Sequence, residues 1–82
     1  MENETGEFAE IGRICTTLDR FYFKMKSKLI RCAEKGYVGW EDKDNIEMIL
    51  KKLTNNLSKK DYVDVANLAM MLHFLTAPIM KE

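Results

Sequence analysis

The chain has 82 residues, enough for one small domain, and a hydrophobic core of that size stabilises a monomer only weakly. Thirteen basic residues balance thirteen acidic ones, so the net charge directs the chain neither to nucleic acid nor to an anionic membrane. All apolar runs are shorter than the roughly 18 residues of a membrane span, which predicts a soluble protein. An acidic first segment without a secretory signal, and two distant cysteines, Cys15 and Cys32, predict a cytoplasmic protein with free thiols.

Proline and glycine are scarce, which leaves long windows for helix and predicts an all-α fold. We predict a single domain over residues 1–82 with three helices, at 5–35, 42–57 and 59–76. Gly36 is expected to end the long first helix in the left-handed conformation, and Asp42 or Asp44 to cap the second. Pro78 is expected to end the third helix, because the residue before a proline avoids helical geometry. Trp40 is expected to hold the first loop against the bundle.

Apolar residues recur along the first helix at alternating spacings of three and four, which is the pattern of a heptad seam. The seam consists of Phe8, Ile11, Cys15, Leu18, Tyr22, Met25, Leu29 and Cys32. A helix of this length, about 45 Å, is longer than the two shorter helices can cover. We therefore expect the seam to pack in part against its own chain and in part between identical subunits, since such patches rarely stay exposed on monomers.

A basic stripe lies beside the seam at helical spacings. It consists of Arg20, Lys24, Lys28, Arg31 and Lys35. One interpretation is a solvated face that matches the negative end of the helix dipole. The other is a phosphate site at Lys24, Lys28, Arg31 and Lys35, with Tyr37 and Trp40 close enough in sequence to stack on a base.

The segment DYVDVANLAMMLHFL, residues 61–75, predicts a buried third helix with one polar edge made of Asp61, Asp64 and Asn67. Asp61 and Asp64 have the spacing of a helix cap, and they are alternatively candidate metal ligands. A buried Asn67 needs a partner, either across a helix interface or on a ligand. The second helix is expected to bury one stripe of five residues. Those are Ile46, Ile49, Leu50, Leu53 and Leu57.

The elements KGYVGW and DVANLAMML, within a similarity that covers about residues 21–75, resemble the MazG-like nucleoside triphosphate pyrophosphohydrolase superfamily, and its short phage-encoded members above all. The resemblance implies a three-helix bundle that assembles as dimers or tetramers. It also implies magnesium held by an EExxE group on one helix and an ExxD group on the next, against the phosphates of a nucleotide.

This chain departs from that pattern in the first acidic group. Asp61 and Asp64 can stand at the ExxD position, but residues 51–55 read KKLTN where EExxE is expected. Glu47 is the one carboxylate of the second helix after the candidate capping residues Asp42 and Asp44. We therefore expect no catalytic residues and no cofactor, and any remaining magnesium site would have to use Asp61, Asp64 and Glu47.

Three functions follow from these patterns together with what the resemblance implies. The first is a non-catalytic, phage-encoded protein that binds or sequesters a phosphate-bearing nucleotide, with a counter-defence role against a nucleotide signal. Its ligand-binding residues would be Lys24, Lys28, Arg31, Lys35, Tyr37, Trp40 and Asn67. The second is a protein-binding inhibitor of a host enzyme. The third is a residual magnesium-dependent pyrophosphohydrolase. In each case the predicted partner is a second copy of the chain, as a dimer, a tetramer or a higher oligomer, and neither a membrane nor a nucleic acid is expected.

Overall fold

The computed structural model describes residues 2–77, and the side chains from residue 6 onward. It has three α-helices: α1 at Glu2–Glu34, α2 at Ile46–Ser58 and α3 at Tyr62–Thr76. A short 3-10 turn, Lys43–Asn45, precedes α2. Strands are absent from the described residues, so the predicted all-α class is confirmed. None of these helices combines the length and the apolar character that crossing a bilayer requires.

The observed helix bounds differ from the predicted ones mainly at the starts. The helix α1 begins at Glu2, three residues before the predicted start. The second helix begins as the 3-10 turn, and Asp42 caps that turn by accepting a hydrogen bond from the Asp44 backbone N–H at 2.9 Å. The helix α3 begins at Tyr62, because residues 59 and 60 form a turn, and it ends at Thr76. Pro78, which was expected to end it, lies outside the described residues.

Gly36 ends α1 as predicted. Its φ is 91°, and its N–H donates to the Ala33 carbonyl at 3.0 Å. The Tyr37 N–H donates to the Cys32 carbonyl at 3.0 Å. This pair of bonds is the Schellman motif, which satisfies carbonyls that the last turn would leave without partners.

A second Schellman motif connects α2 to α3. The Lys60 N–H donates to the Leu57 carbonyl and the Asp61 N–H to the Asn56 carbonyl, each at 3.0 Å. Lys60 has a φ of 61°, a conformation that favours glycine. Asp61 then caps α3, since its side chain accepts a hydrogen bond from the Asp64 N–H at 3.2 Å. The predicted capping role of Asp61 is therefore confirmed.

The helix α3 lies between the other two helices, packing extensively on α2 and less extensively on α1. Two apolar side chains in the described part of the chain are buried, Ile49 at 2% exposed and Leu75 at 3% exposed. The predicted buried stripe of α2 is wrong at Leu50 and Leu57, which are about half exposed. The prediction that α3 is a buried helix is also too strong, because most of its side chains are half-buried. No described element covers the outer faces of these helices.

The first half of α1 projects beyond the other helices. Every side chain from residue 6 to residue 20 is exposed, including Phe8 at 74% and Leu18 at 62%. Packing against the same chain is limited to the end of the seam, where Met25, Leu29 and Cys32 are half-buried. At about 1.5 Å per residue, α1 accounts for the longest dimension of the protein, which measures 53 Å.

Candidate functional site

A cavity of about 600 Å³ opens between the end of α1, the loop that follows it, and one side of α2 and α3. Much of its wall is apolar and comes from Leu29, Ile49, Leu68 and Met71. Four of the seven residues predicted to bind a ligand also line it. They are Lys28, Tyr37, Trp40 and Asn67.

The other three predicted ligand-binding residues lie elsewhere. Lys24 and Arg31 line a second, more open depression, which also includes Lys28 and Asp61. Lys35 is exposed and lines neither of these two surfaces. The basic stripe therefore contributes Lys28 to the cavity, whereas Lys24 and Arg31 face a neighbouring surface.

The loop after α1 brings Trp40 to the cavity wall. Gly39 has a φ of 88°, and its carbonyl accepts a hydrogen bond from the Asn45 side-chain amide at 2.7 Å. The rings of Trp40 and Phe74 meet edge to face, with their centroids 5.4 Å apart. This arrangement is favourable for aromatic pairs. The prediction that Trp40 holds the loop against the bundle is confirmed.

The basic stripe and the acidic edge of α3 meet at Lys28. The Nζ atom of Lys28 lies 2.6 Å from an Asp64 carboxylate oxygen and 3.6 Å from an Asp61 carboxylate oxygen. One ammonium group therefore faces the two carboxylates that were candidate metal ligands. Because the lysine neutralises part of the charge of these two carboxylates, the polar edge of α3 offers less negative charge than its sequence suggests.

The same contacts shift the pKa values of these groups. The hydrogen bond to the Asp64 carboxylate, together with the negative charges of Asp64 and Asp61, raises the pKa of Lys28 above its ordinary 10.5. The pKa of Asp61 is lowered from its ordinary 3.8, mainly by the hydrogen bond from the Asp64 backbone N–H and further by the charge of Lys28. Both shifts favour the charged forms, so the ion pair persists across the neutral pH range.

The three candidate magnesium ligands do not come together. Asp64 lines the cavity, Asp61 lines the neighbouring depression, and Glu47 lines a third depression on α2. Across residues 6–77, no group of three or more His, Cys, Asp or Glu side chains is arranged to hold a metal ion. The arrangement of Asp61, Asp64 and Glu47 therefore does not fit a shared divalent cation.

Asn67 is the one buried polar side chain of the described residues, with 4% of its surface exposed. Its amide nitrogen donates to the Met25 carbonyl of α1 at 3.3 Å, so it bonds across a helix interface. Its amide oxygen is buried and has no hydrogen-bond partner within residues 6–77. Asn67 therefore joins α1 to α3 at the cavity wall.

Sequence reasoning missed three polar residues of the cavity, which are Asn45, Lys52 and Asn56. Lys51 and Lys52 are adjacent in sequence, but successive helical residues point about 100° apart. Only Lys52 reaches the cavity, and Lys51 lines the third depression. The position of Lys52, three residues after the buried Ile49, is the sequence signal that could have distinguished it from Lys51.

The charged groups of the cavity wall are two lysines and one aspartate, Lys28, Lys52 and Asp64. Lys28 and Asp64 are paired with each other, and within the described residues Lys52 has no ion pair. The wall therefore carries a formal charge of +1, located at Lys52. Such a surface can attract an anion and can also accommodate an apolar or aromatic group.

Comparison of the chain with family models, with curated proteins and with solved structures finds no match, so these comparisons assign it to no family.

Proposed function

We propose that this chain binds a phosphate-bearing nucleotide in the cavity between α1, the loop and α2/α3, and that it does not cleave it. The observation that carries this proposal is the position of Lys52, which has no ion pair among residues 6–77 and lies in a cavity that also contains Trp40 and Tyr37. A cation and aromatic rings in one cavity match the two parts of a nucleotide, its phosphates and its base.

Lys52 is the principal phosphate contact in this proposal. The ammonium group of Lys28 is shared with two carboxylates, so it can contribute only part of its charge to a ligand. The side-chain amides of Asn45 and Asn56 line the same cavity and each already donates one hydrogen bond to the backbone. A second N–H remains on each amide for an acceptor such as a phosphate or sugar oxygen.

The aromatic residues at the loop supply the base contact. Trp40 is half-buried by its packing on Phe74, whereas Tyr37 is largely exposed at the entrance. Stacking of a base on an aromatic side chain contributes about 1 to 3 kcal/mol and tolerates different bases. We therefore expect Trp40 to contribute affinity and little discrimination between bases.

The absence of cleavage in this proposal rests on Lys28. Its ammonium group faces Asp61 and Asp64, and Glu47 lines a different surface. The resemblance to MazG-like proteins supports the same interpretation, because the lysines of KKLTN stand where that superfamily has acidic residues. We accordingly propose a phage-encoded protein that acts in the host cytoplasm and sequesters a nucleotide signal used in defence.

Self-association is part of the proposal. The described residues bury few apolar side chains, and the first half of α1 exposes a continuous apolar seam. A second copy that covers this seam would supply the burial that the monomer lacks.

The same exposed seam favours a second candidate function, binding to a host enzyme as an inhibitor. Phe8, Leu18 and Tyr22 are large apolar or aromatic side chains that protein interfaces use as anchors. In that case the cavity would have no ligand and the seam would be covered by the host protein.

The test uses Trp40, the single tryptophan of the chain, as the reporter. Titration of the protein with a panel of linear and cyclic nucleotides, followed by Trp40 fluorescence and by calorimetry, should show saturable binding that weakens with added salt. Lys52→Ala should weaken binding about 10- to 150-fold, since a charge-assisted hydrogen bond contributes about 1.5 to 3 kcal/mol. Lys51→Ala is the matched control and should leave the affinity unchanged.

Equal loss of affinity in Lys51→Ala and Lys52→Ala would mean that the cavity is not the binding site. No fluorescence change and no heat with any nucleotide would refute nucleotide binding. Recovery of one stoichiometric host protein on the tagged chain, lost in Leu18→Asp, would then support the inhibitor function.

A further inference from the structure

The exposed face of the first half of α1 defines a surface without a partner in the described chain. We propose that it binds the α1 helix of a second copy in antiparallel orientation, an inference that rests on the proposed self-association. The surface consists of Phe8, Ile11, Ile14, Leu18 and Tyr22, all more than half exposed. We call it the α1 face.

The α1 face is continuous and long enough for a helix pair. Its members follow spacings of three and four, so they lie on one side of the helix over about 20 Å. The seam continues past Tyr22 into Met25 and Leu29, which are only half-buried by α3. A second α1 can therefore begin on the α1 face and extend onto the body of the partner.

Charge selects the antiparallel orientation. The acidic residues Glu7 and Glu10 lie at the start of α1, and the basic residues Lys24 and Lys28 lie in its second half. At about 100° per residue, all four are on the same side of the apolar seam. In an antiparallel pair with two-fold symmetry, that side of one helix meets the same side of the other, so acids face bases.

A parallel pair would not make these contacts. In a parallel pair with two-fold symmetry, the side of one helix that holds Glu7, Glu10 and Lys24 meets the opposite side of the other helix. The acids and bases of that side would then not face one another. Within residues 6–77, Glu7 and Lys24 have no ion pair, so both are available for a partner.

Charge reversal tests the orientation in the full chain. Analytical ultracentrifugation should detect a dimer or a multiple of it for the wild type. The acid-end variant, Glu7→Lys with Glu10→Lys, and the base-end variant, Lys24→Glu, should each weaken dimerisation about fivefold, because each dimer contains two copies of the reversed contact. The variant that combines both reversals should recover most of the wild-type affinity.

Leu18→Asp tests the apolar contact and should prevent association, whereas Thr16→Asp, on the opposite side of α1, should not. Circular dichroism checks that each variant keeps its helix content. A spin label at position 8, introduced as Phe8→Cys with Cys15→Ser and Cys32→Ser, measures the orientation directly. For an antiparallel pair centred between Cys15 and Leu18, the two labels should lie about 26 Å apart along the helix axis.

The possible outcomes distinguish self-association from the antiparallel orientation of the two α1 helices. A monomer at all concentrations would refute self-association and this inference with it, and would leave nucleotide binding to its own titration. A dimer whose labels lie within about 15 Å of each other, or whose affinity is unchanged by the single-end reversals, would refute the antiparallel pair alone.

Discussion

Lys28 determines the electrostatic character of the polar edge of α3. Two aspartates three residues apart would attract a divalent cation if they had no counter-charge. The ammonium of Lys28 lies against both of them and neutralises part of their charge. A substitution of Lys28 therefore removes a charge that lowers the pKa of Asp61.

This ion pair makes the stability of the protein depend on pH in two ranges. The lowered pKa of Asp61 contributes stability above its ordinary 3.8, and this contribution is lost as the pH falls through the folded value. The raised pKa of Lys28 contributes stability below 10.5, and this contribution is lost as the pH rises through the folded value. We predict that the free energy of unfolding, measured with urea from about pH 3 to about pH 11, falls at both ends of the range.

The variant Lys28→Met identifies the source of that dependence. At neutral pH it should lower the free energy of unfolding by up to about 1 kcal/mol, since the pair is partly exposed to solvent. The fall at high pH should become smaller. Lys24→Met, one turn away and without an ion pair within residues 6–77, is the control and should change stability by about 0.5 kcal/mol or less. Identical pH profiles for wild type and Lys28→Met would contradict this assignment.

The sequence identified Lys28, Asp61 and Asp64 as candidate site residues, but it did not predict that they contact one another. The helical spacing placed Lys28 on a basic stripe and Asp61 and Asp64 on a polar edge, and both descriptions are correct. Their contact depends on how α1 and α3 are rotated against each other, which spacing within either helix does not determine. For the same reason Lys24 and Lys28 were treated alike, although one faces the cavity and the other does not.

At the scale of the helices, local rules predicted some ends and missed others. The end of α1 at Gly36 was predictable because glycine adopts a positive φ without a steric cost. The end of α2 was predicted to within one residue, at 57 against Ser58, but the left-handed residue after it was not predicted, because a lysine, Lys60, occupies that position with a φ of 61°. The Schellman bonds and the following Asp61 cap require that conformation regardless of the residue.

Lys60→Gly should therefore stabilise the protein. The left-handed conformation costs a lysine about 1 to 2 kcal/mol, and the added freedom of glycine in the unfolded chain offsets part of that cost. We predict a net gain of about 0.5 to 1 kcal/mol in the free energy of unfolding, measured by urea denaturation.

The control for this prediction is Lys59→Gly. Lys59 has a φ of −83° and ends the same helix in the right-handed conformation, so glycine offers no steric gain there. A stabilisation of equal size in both variants would show that the gain does not come from the left-handed position.

At the scale of the whole molecule, the chain is an open layer of three helices. Periodicity predicted which residues form helices and which faces are apolar. It could not predict that α3 lies between α1 and α2, or that Leu50 and Leu57 remain exposed. The length of the first helix did predict that part of its seam extends beyond the other two helices. Apolar spacing marks a face for burial but does not say whether the covering surface comes from the same chain.

The open arrangement also determines what a ligand can contact. The cavity takes its walls from all three helices and from the loop, so Lys28, Trp40, Lys52 and Asn67 converge from segments far apart in sequence. Sequence spacing could relate residues within one helix, and for that reason it found Lys28 and Asn67 separately and passed over Lys52. The cavity exists only because the helices pack in this order.

The central claim is that the cavity binds a nucleotide and leaves its phosphates intact. Phosphorus NMR of nucleoside triphosphates with the protein and magnesium examines both parts at once. We predict that the phosphate resonances of a bound nucleotide shift or broaden, less so with Lys52→Ala, and that no pyrophosphate or inorganic phosphate forms. Growth of a pyrophosphate resonance would contradict the claim, and so would phosphate resonances that the protein leaves unchanged for every nucleotide tested.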